Sequence, residues 1–155
     1  MSDNNNIQAN TSYADHRFQF SSPGLGKTGQ YQMSGIPFLS SSFVVDNILA
    51  GPGHTTEISF PYVTKFITVV NEHSGSNVKM RVGFSLLGIS GSDANDTGNN
   101  YFILDNGESY TGELRVSKVF IAGQGAQCTA SVIAGMTGIN AAALETNWSG
   151  TSGVG

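Results

Sequence analysis

Apolar and polar residues alternate along much of the chain between residues 43 and 139, and this period of two predicts β-strands. The stretch VKMRVGFSLLGI is the clearest case, because Val78 and Met80 alternate with Lys79 and Arg81. A strand with this pattern buries one face and exposes the other to solvent. The predicted strands cover residues 43–49, 55–60, 65–71, 78–88, 101–105, 112–122 and 128–137.

Interruptions of the pattern predict where strands end or bend. Pro61 ends the second strand, because proline has no N–H group to donate to a ladder. The alternation shifts its phase at Lys118, inside the strand 112–122, and such a shift predicts a β-bulge. The stretch AAALE at 141–145 predicts no more than a single helical turn. Six or seven closely spaced strands without an amphipathic helix predict an all-β fold, an antiparallel β-sandwich of the jelly-roll type.

The two flanking segments have no sustained periodicity, yet they contain large apolar residues. Disordered tails are normally poor in aromatic residues, because nothing in them offsets the entropy lost on ordering. The sequence therefore predicts an extended N-terminal arm at 1–42, a β-sandwich core at 43–139 and a C-terminal tail at 140–155. The side chains expected to anchor these arms on a neighbouring protein are Phe18, Phe20, Leu25, Tyr31, Phe38 and Trp148. Just before residue 43, packing on the chain's own sandwich is an equally good interpretation.

The composition argues against several classes of partner. Charged residues make up only 12% of the chain, with 7 Lys and Arg against 11 Asp and Glu, which gives a net charge of −4. Because no basic cluster is present, we expect no nucleic-acid-binding face. The chain opens on a polar stretch, and no apolar run reaches the length of a membrane span. We therefore expect synthesis in a cytoplasm, without a membrane anchor.

Residues 21–28, SSPGLGKT, end in the Gly-Lys-Thr of a phosphate-binding loop. That motif needs a glycine where Ser21 stands, and it needs a helix directly after the loop. The residues that follow are interrupted by Gly29, Gly35 and Pro37, which do not predict a helix. Nucleotide binding is therefore not expected, and no cofactor is predicted.

The stretch DANDTG, which begins at Asp93, resembles the first half of a calcium loop, with oxygen ligands at alternate positions and a glycine at the sixth. The twelfth position is Leu104, where a calcium loop requires glutamate, although Asp105 and Glu108 could complete a looser site. A solvated turn is the favoured interpretation. The three histidines are far apart along the chain, so no metal site is predicted.

Candidate nucleophiles and acid–base pairs are equally weak. Cys128 is the single cysteine and lies within the alternating stretch CTASVIAGM, which predicts a small buried side chain. Glu108 and Glu113 flank a predicted turn and are interpreted as surface residues. No Gly-x-Ser-x-Gly elbow precedes a predicted helix. The sequence therefore predicts no enzyme activity and no catalytic residue.

Several stretches resemble virion structural proteins of tailed bacteriophages, particularly those that infect marine cyanobacteria. The similarity lies in the local sequences of these stretches and in their order along the chain. It covers about two-thirds of the chain and includes no catalytic signature. The stretches are SSPGLGKTGQYQMSGIPFLSSS (21–42), TEISFPYVTKFITVVN (56–71), MRVGFSLLGISG (80–91), NYFILDNGESYTGELRVSKVFI (100–121), CTASVIAGMTGI (128–139) and NWSGTSGVG (147–155).

This resemblance implies a non-enzymatic β-sandwich subunit added to a capsid or tail. Members of the group are often head decoration, or cement, proteins that bind the outer face of the major capsid lattice, while others belong to vertices, fibres or tails. The expected partners are the major capsid protein or other virion proteins, and a homo-oligomer is expected. The expected location is the capsid surface of the virion, after synthesis in the host cytoplasm.

A receptor- or glycan-binding module of a fibre or tail is the alternative function. Sugar sites on β-sandwiches use exposed aromatic residues in loops, beside carboxylates and amides. Tyr101, Tyr110 and Trp148, together with the polar loop from Asp93 to Asn100, could form such a site.

Overall fold

The computed structural model describes residues 35–50, 53–75, 78–90 and 100–144. One short helix, α1 (Leu86–Ser90), and two 3₁₀ turns, Ile48–Ala50 and Ala141–Ala143, accompany the strands in these ranges. The eight strands are β1 (Ile36–Val45), β2 (Thr56–Ser59), β3 (Tyr62–Asn71), β4 (Lys79–Gly83), β5 (Tyr101–Leu104), β6 (Ser109–Gly112), β7 (Lys118–Gln124) and β8 (Cys128–Asn140).

The strands form two four-stranded sheets in which every pair of neighbours is antiparallel. Sheet A has the strand order β1-β8-β3-β6, and sheet B has the order β2-β7-β4-β5. Strands that follow each other along the chain lie in different sheets, except for β4 and β5, which are neighbours in sheet B. The predicted all-β class and the two antiparallel sheets of a sandwich are confirmed.

The core lies between the two sheets and receives one face of each. Ile67 and Val132 of sheet A and Met80 and Ile121 of sheet B belong to one cluster and are fully buried. Burial of such an aliphatic side chain stabilises a fold by about 1.5–3 kcal/mol. Cys128 belongs to the same cluster, so its predicted burial is confirmed.

The first strand begins at Ile36, seven residues before the predicted start at 43, and ends at Val45. Residues 36–40 therefore pair with β8 in sheet A, so the boundary expected at 42/43 falls inside β1. The register shifts between Ser40 and Phe43, and Ser42 lies there with a left-handed φ of 54°. This irregularity shifts the alternation of inward and outward side chains. Before it the even-numbered residues of β1 face the core, and after it the odd-numbered residues do. The predicted strand 43–49 was wrong beyond residue 45, where a 3₁₀ turn follows at Ile48–Ala50.

The single strand predicted for 78–88 is also wrong at its end, because β4 stops at Gly83 and α1 follows. The Ser85 hydroxyl accepts a hydrogen bond from the Gly88 N–H at 3.0 Å, as an N-terminal helix cap does. Helix formation turns Ile89 toward β7, where its side chain packs with Phe120 and Ala122 and is fully buried. At Gly83 a Cβ atom would lie 3.3 Å from the Ile89 Cβ, so α1 packs closely against the end of β4.

The predicted strand 112–122 is two strands rather than one strand with a bulge. Only its first residue, Gly112, belongs to β6 of sheet A; residues 113–117 are not in a strand, and residues 118–122 belong to β7 of sheet B, so the phase shift marks a crossing between the sheets. Thr64 of β3 stabilises this crossing. Its hydroxyl donates to the Leu114 carbonyl at 2.7 Å and accepts from the Val116 N–H at 3.1 Å. The single helical turn predicted near 141–145 is confirmed at Ala141–Ala143.

Candidate interaction surface

The two sheets differ in the charge that their strands carry. The four strands of sheet A contain one charged residue, Lys65, at an irregularity of β3. The shorter strands of sheet B contain Glu57, Lys79, Arg81 and Lys118. The strands of sheet A are therefore poorer in charge than those of sheet B, and a further charge beside them is the Glu72 carboxylate, which accepts a hydrogen bond from the Ser42 hydroxyl at 3.1 Å.

A row of residues crosses all four strands of sheet A on this outward side. Leu39 of β1 lies opposite Ile133 of β8, which lies opposite Thr68 of β3, and Thr68 lies opposite Thr111 of β6. The exposed fractions of Leu39 and Ile133 are 67% and 41%. Leu39 on the edge strand and Ile133 on an inner strand are therefore two adjacent, solvent-exposed aliphatic side chains of one sheet.

Further apolar residues extend this row along the strands. Pro37 and Phe66 both lie opposite Gly135, and Val44 lies opposite Thr129 with 60% of its surface exposed. Val70 is half-buried and follows the fully buried Val69, so it also faces outward. We call the apolar set the sheet A outer face: Pro37, Leu39, Val44, Phe66, Val70 and Ile133.

Three hydroxyl groups on the same outward side of sheet A already have hydrogen-bond partners within the chain. The hydroxyls of Thr68 and Thr111 hydrogen-bond to each other at 2.8 Å. The Ser131 hydroxyl accepts a bond from the backbone N–H of Ser42 at 3.0 Å. Covering a polar group that lacks a partner is costly, whereas covering groups that are already paired is not. Burial of these three hydroxyls against another molecule would therefore add little to the desolvation cost.

The outward side of sheet B is instead covered by the chain itself. Ile89 of α1 packs with Phe120 and Ala122 of β7, and all three side chains are buried. Arg81 lies under this cover with its guanidinium carbon 4.3 Å from the centre of the Tyr101 ring. The Arg81 side chain also donates to the Ile89 carbonyl and to Gln124 Oε1, each at 3.3 Å. Because α1 occupies this side, sheet B offers less free surface than sheet A.

Of the six predicted interface residues, the structure describes one, Phe38. Its half-buried side chain packs against the core cluster, and its ring meets Phe60 edge to face with 5.0 Å between ring centres. Phe38 therefore contributes to its own sandwich, the alternative left open by the sequence. Phe18, Phe20, Leu25, Tyr31 and Trp148 lie outside the described residues, as does the Gly-Lys-Thr stretch 21–28.

The sequence interpretation missed Leu39 and Ile133. A signal was present for Ile133, because it is the large apolar residue in the polar phase of the alternating stretch CTASVIAGM. No comparable signal marks Leu39, which stands between other apolar and small residues in IPFLSSS.

No protein-family model matches the chain, and no curated protein is significantly similar to it. Among the described residues, no helix has the length and apolar character needed to cross a membrane. The described part of the chain also holds no group of three His, Cys, Asp or Glu residues placed to bind a metal.

The two described aromatic residues of the alternative glycan site are engaged within the chain. Tyr101 stacks on Arg81, and the Tyr110 ring lies 4.6 Å from the Phe102 ring and packs against the core. Trp148 and residues 91–99 of the loop lie outside the described residues. The described geometry therefore gives no specific support to a glycan site.

The acidic residues considered for a calcium site also have protein partners. Asp105 forms an ion pair with Lys79 at 2.9 Å, and Glu108 accepts a bond from the Asp105 N–H at 2.8 Å.

Glu57 contacts Lys118 at 2.6 Å, and this hydrogen bond, with a second from Ser59, lowers the pKa of the Glu57 carboxyl.

Cys128 is unsuited to act as a nucleophile. Its side chain is 1% exposed, and desolvation by burial raises the pKa of the thiol to about 11. The reactive form of cysteine is the thiolate. At neutral pH the Cys128 thiol is therefore protonated and enclosed by the core.

Proposed function

We propose that the protein is a non-enzymatic structural subunit of a bacteriophage virion, which decorates and stabilises the capsid. The observation that carries the proposal is the sheet A outer face, a set of apolar side chains beside the hydroxyls Thr68, Thr111 and Ser131, which are already paired. The apolar side chains of such a surface gain from burial against another protein, and its three paired hydroxyls need no new partner there. A subunit of an assembly needs a surface of this kind, whereas an isolated domain does not.

The strand order supports a jelly roll as the fold of this subunit. We infer it from the neighbours β1-β8-β3-β6 in one sheet and β2-β7-β4-β5 in the other. In this arrangement the chain passes back and forth between the sheets, as it does when two Greek keys are combined in eight strands. Jelly rolls are frequent in viral capsid proteins and in lectins, so the fold agrees with the proposal by analogy alone.

The described chemistry agrees with a role that needs no catalysis. The Cys128 thiol is protonated and buried, and the carboxylates of Glu57 and Asp105 are paired with lysines. Catalytic groups are usually held in a cleft with a pKa adjusted toward the working pH. Burial raises the pKa of the Cys128 thiol away from neutrality, and the hydrogen bond from Lys118 lowers the pKa of the Glu57 carboxyl further below it.

The proposed partners are the major capsid protein or other virion proteins, together with further copies of this chain, at the capsid surface. The remaining arm residues proposed to contact these partners are Phe18, Phe20, Leu25, Tyr31 and Trp148, since large apolar side chains contribute most of the energy of protein interfaces. Phe38 packs against Phe60 within the sandwich, so the proposal rests on the other five residues.

The proposal is tested by adding the purified protein to emptied capsids that lack it. We expect saturable, stoichiometric binding and a higher melting temperature of the capsid, because a ligand that binds only the assembled state stabilises it. A protein without this role, for example lysozyme, provides the baseline for nonspecific adsorption. Absence of saturable binding, or binding that leaves capsid melting unchanged, would contradict the proposal.

A further inference from the structure

The turn between β5 and β6 contains the pair Asn106-Gly107, the one place in the chain where an asparagine directly precedes a glycine. In such a pair the glycine nitrogen can attack the carbonyl carbon of the asparagine side chain, because glycine has no side chain to crowd the approach. We propose that Asn106 is a deamidation site, which the folded turn holds unreactive and which reacts when the turn opens. This inference goes beyond the proposed function and does not depend on it.

The reaction needs water and no other co-reactant. The deprotonated Gly107 nitrogen forms a bond to Asn106 Cγ, the bond between Cγ and Nδ2 breaks, and ammonia leaves, so that a succinimide ring remains. Water then adds to either ring carbonyl and opens the ring. Addition at the side-chain carbonyl gives aspartate, and addition at the backbone carbonyl gives isoaspartate. Either product carries a new carboxylate at position 106.

The Asn106 side chain is held less firmly at its oxygen than three other asparagines of the described chain. Its Oδ1 atom is buried and has no hydrogen-bond partner. The Oδ1 atoms of Asn47, Asn71 and Asn140 accept bonds from backbone N–H groups at 3.1, 3.2 and 2.9 Å. The carbonyl that the reaction attacks is therefore not fixed through its oxygen, and the Gly107 nitrogen decides whether the ring forms.

The Gly107 nitrogen is engaged elsewhere in the folded turn. Its N–H donates to the Asn71 carbonyl at 2.9 Å, and the Asn71 N–H donates in return to the Glu108 carbonyl at 2.9 Å. Because the Gly107 N–H points to this acceptor, the nitrogen keeps its proton and is not directed at Asn106 Cγ. Gly107 has a φ of 73°, as the third residue of a type II turn requires. Ring closure therefore requires the bond to Asn71 to break.

The acceptor and the turn are both held in place. Asn71 is fully buried, and its side-chain amide donates to the carbonyls of Val78 and Leu104 at 3.1 and 3.2 Å. The turn is closed by the Glu108 N–H, which donates to the Asp105 carbonyl at 3.0 Å, and by the Glu108 carboxylate, which accepts from the Asp105 N–H at 2.8 Å. Since β5 belongs to sheet B and β6 to sheet A, opening of this turn loosens a connection between the sheets.

The product would prevent the turn from closing again as before. A carboxylate at position 106 would lie between Asp105 and Glu108 in sequence, and Asp105 already has Lys79 as its partner at 2.9 Å. The Oδ1 position is buried, so a charge placed there would be desolvated without a partner. Deamidation therefore records that the turn has opened and weakens the turn that had prevented it.

The test compares the full-length chain at pH 8 in its folded state and unfolded in urea. Peptide mapping by mass spectrometry measures the conversion of Asn106 to aspartate and isoaspartate over time. We expect conversion to be at least about tenfold faster in urea, because the bond between Gly107 and Asn71 is then absent. Hydrogen exchange of the Gly107 amide requires the same bond to open, so its protection factor should match the ratio of the two conversion rates.

A variant of the turn and a matched control locate the origin of the protection. Glu108→Ala removes the carboxylate that accepts from the Asp105 N–H, and it should raise the conversion rate of the folded chain several-fold and leave the rate in urea unchanged. Glu57→Ala also removes one carboxylate, from a pair with Lys118 on β2 and β7, and should change neither rate.

Three results would overturn the proposal. The first is an equal conversion rate in the folded and unfolded chains, and the second is an Asn106 that stays unmodified in both. The third is a folded-state rate that does not follow Gly107 exchange, or that responds equally to Glu108→Ala and Glu57→Ala, because the protection would then have another origin. If Glu108→Ala does not fold, the comparison of conversion with Gly107 exchange in the unmodified chain still decides.

Discussion

Leu39 and Ile133 lie directly opposite each other on β1 and β8 and are both exposed, although each follows a residue that packs in the core. The preceding residues are Phe38, which contacts Phe60, and Val132, which is fully buried. The two strands are therefore apolar on both faces at this point. In a sheet with one face in water the outward positions are normally polar, so a pair of this kind supports the proposal that this face contacts another protein.

We predict that Thr64→Val destabilises the fold by about 1–3 kcal/mol, because the isosteric change leaves the part-buried Leu114 carbonyl and the buried Val116 N–H without their hydroxyl partner. Urea unfolding followed by circular dichroism measures the change. Thr68→Val is the matched control in the same strand, since its hydroxyl partner Thr111 is exposed and can bond to water. Equal losses for the two variants would show that the crossing between the sheets does not depend on Thr64.

This crossing also shows what could and could not be predicted from the sequence. Alternation located most strands to within a few residues, because one face of each is buried in the core. The phase shift at Lys118 was found but interpreted as a bulge, because a pattern of apolar residues does not reveal which sheet a residue joins. The bonds of Thr64 to residues 114 and 116 are tertiary contacts and leave no mark in the local sequence.

Two other errors have local physical reasons. The apolar run at residues 84–89 fits a buried strand or a short helix equally well, and the Ser85 cap and the burial of Ile89 favour the helix. The start of β1 was missed because its alternation is hidden by Leu39 on the outward face and interrupted by the irregularity at Ser42. Leu39, which belongs to the sheet A outer face, is thus also a residue that obscured the strand pattern.

We predict that stability falls between about pH 9 and pH 11 through Cys128. The thiol pKa is 9.0 in an exposed reference state and is raised by burial to about 11 in the folded chain. A group whose folded pKa is raised contributes full stability below the unfolded pKa and loses it as the pH rises toward the folded value. Cys128→Val should remove this part of the pH dependence in thermal unfolding. An identical alkaline decline in the two proteins would show that other groups cause it.

The same burial makes a kinetic prediction. At pH 8 the native protein should react with a thiol reagent at a small fraction of the rate of the urea-unfolded chain, because the thiolate is rare and the side chain is 1% exposed. Absorbance of the released thiophenolate measures both rates. Rapid reaction of the folded protein at a low concentration of the reagent would contradict the burial of Cys128.

We predict that Arg81→Lys loosens α1 without unfolding the sandwich. Lysine keeps the charge but loses the planar group that stacks on Tyr101 and reaches both the Ile89 carbonyl and Gln124. The Ile89 amide, which bonds to the Ser85 carbonyl at 3.1 Å, should exchange with deuterium about tenfold faster. Lys79→Arg, on the same strand but paired with the exposed Asp105, is the control and should leave this amide unchanged.

We predict that removal of residues 1–34 abolishes binding to capsids and leaves the sandwich folded. The cut falls before Gly35, whose N–H bonds to the Met136 carbonyl at 3.2 Å, so all the ladder bonds between β1 and β8 are kept. A longer deletion that included Ile36 would shorten β1 and confuse loss of binding with loss of stability. The removed segment contains Phe18, Phe20, Leu25 and Tyr31, the residues proposed to contact virion partners. Thermal unfolding checks the fold, and occupancy of emptied capsids measures binding.

The control for this deletion is a fourfold variant in which Phe18, Phe20, Leu25 and Tyr31 are changed to Ser. It keeps the length of the segment and should behave like the deletion. If the truncated protein still occupies the particle at full density, the segment is dispensable for decoration and binding has to be assigned to the sandwich alone.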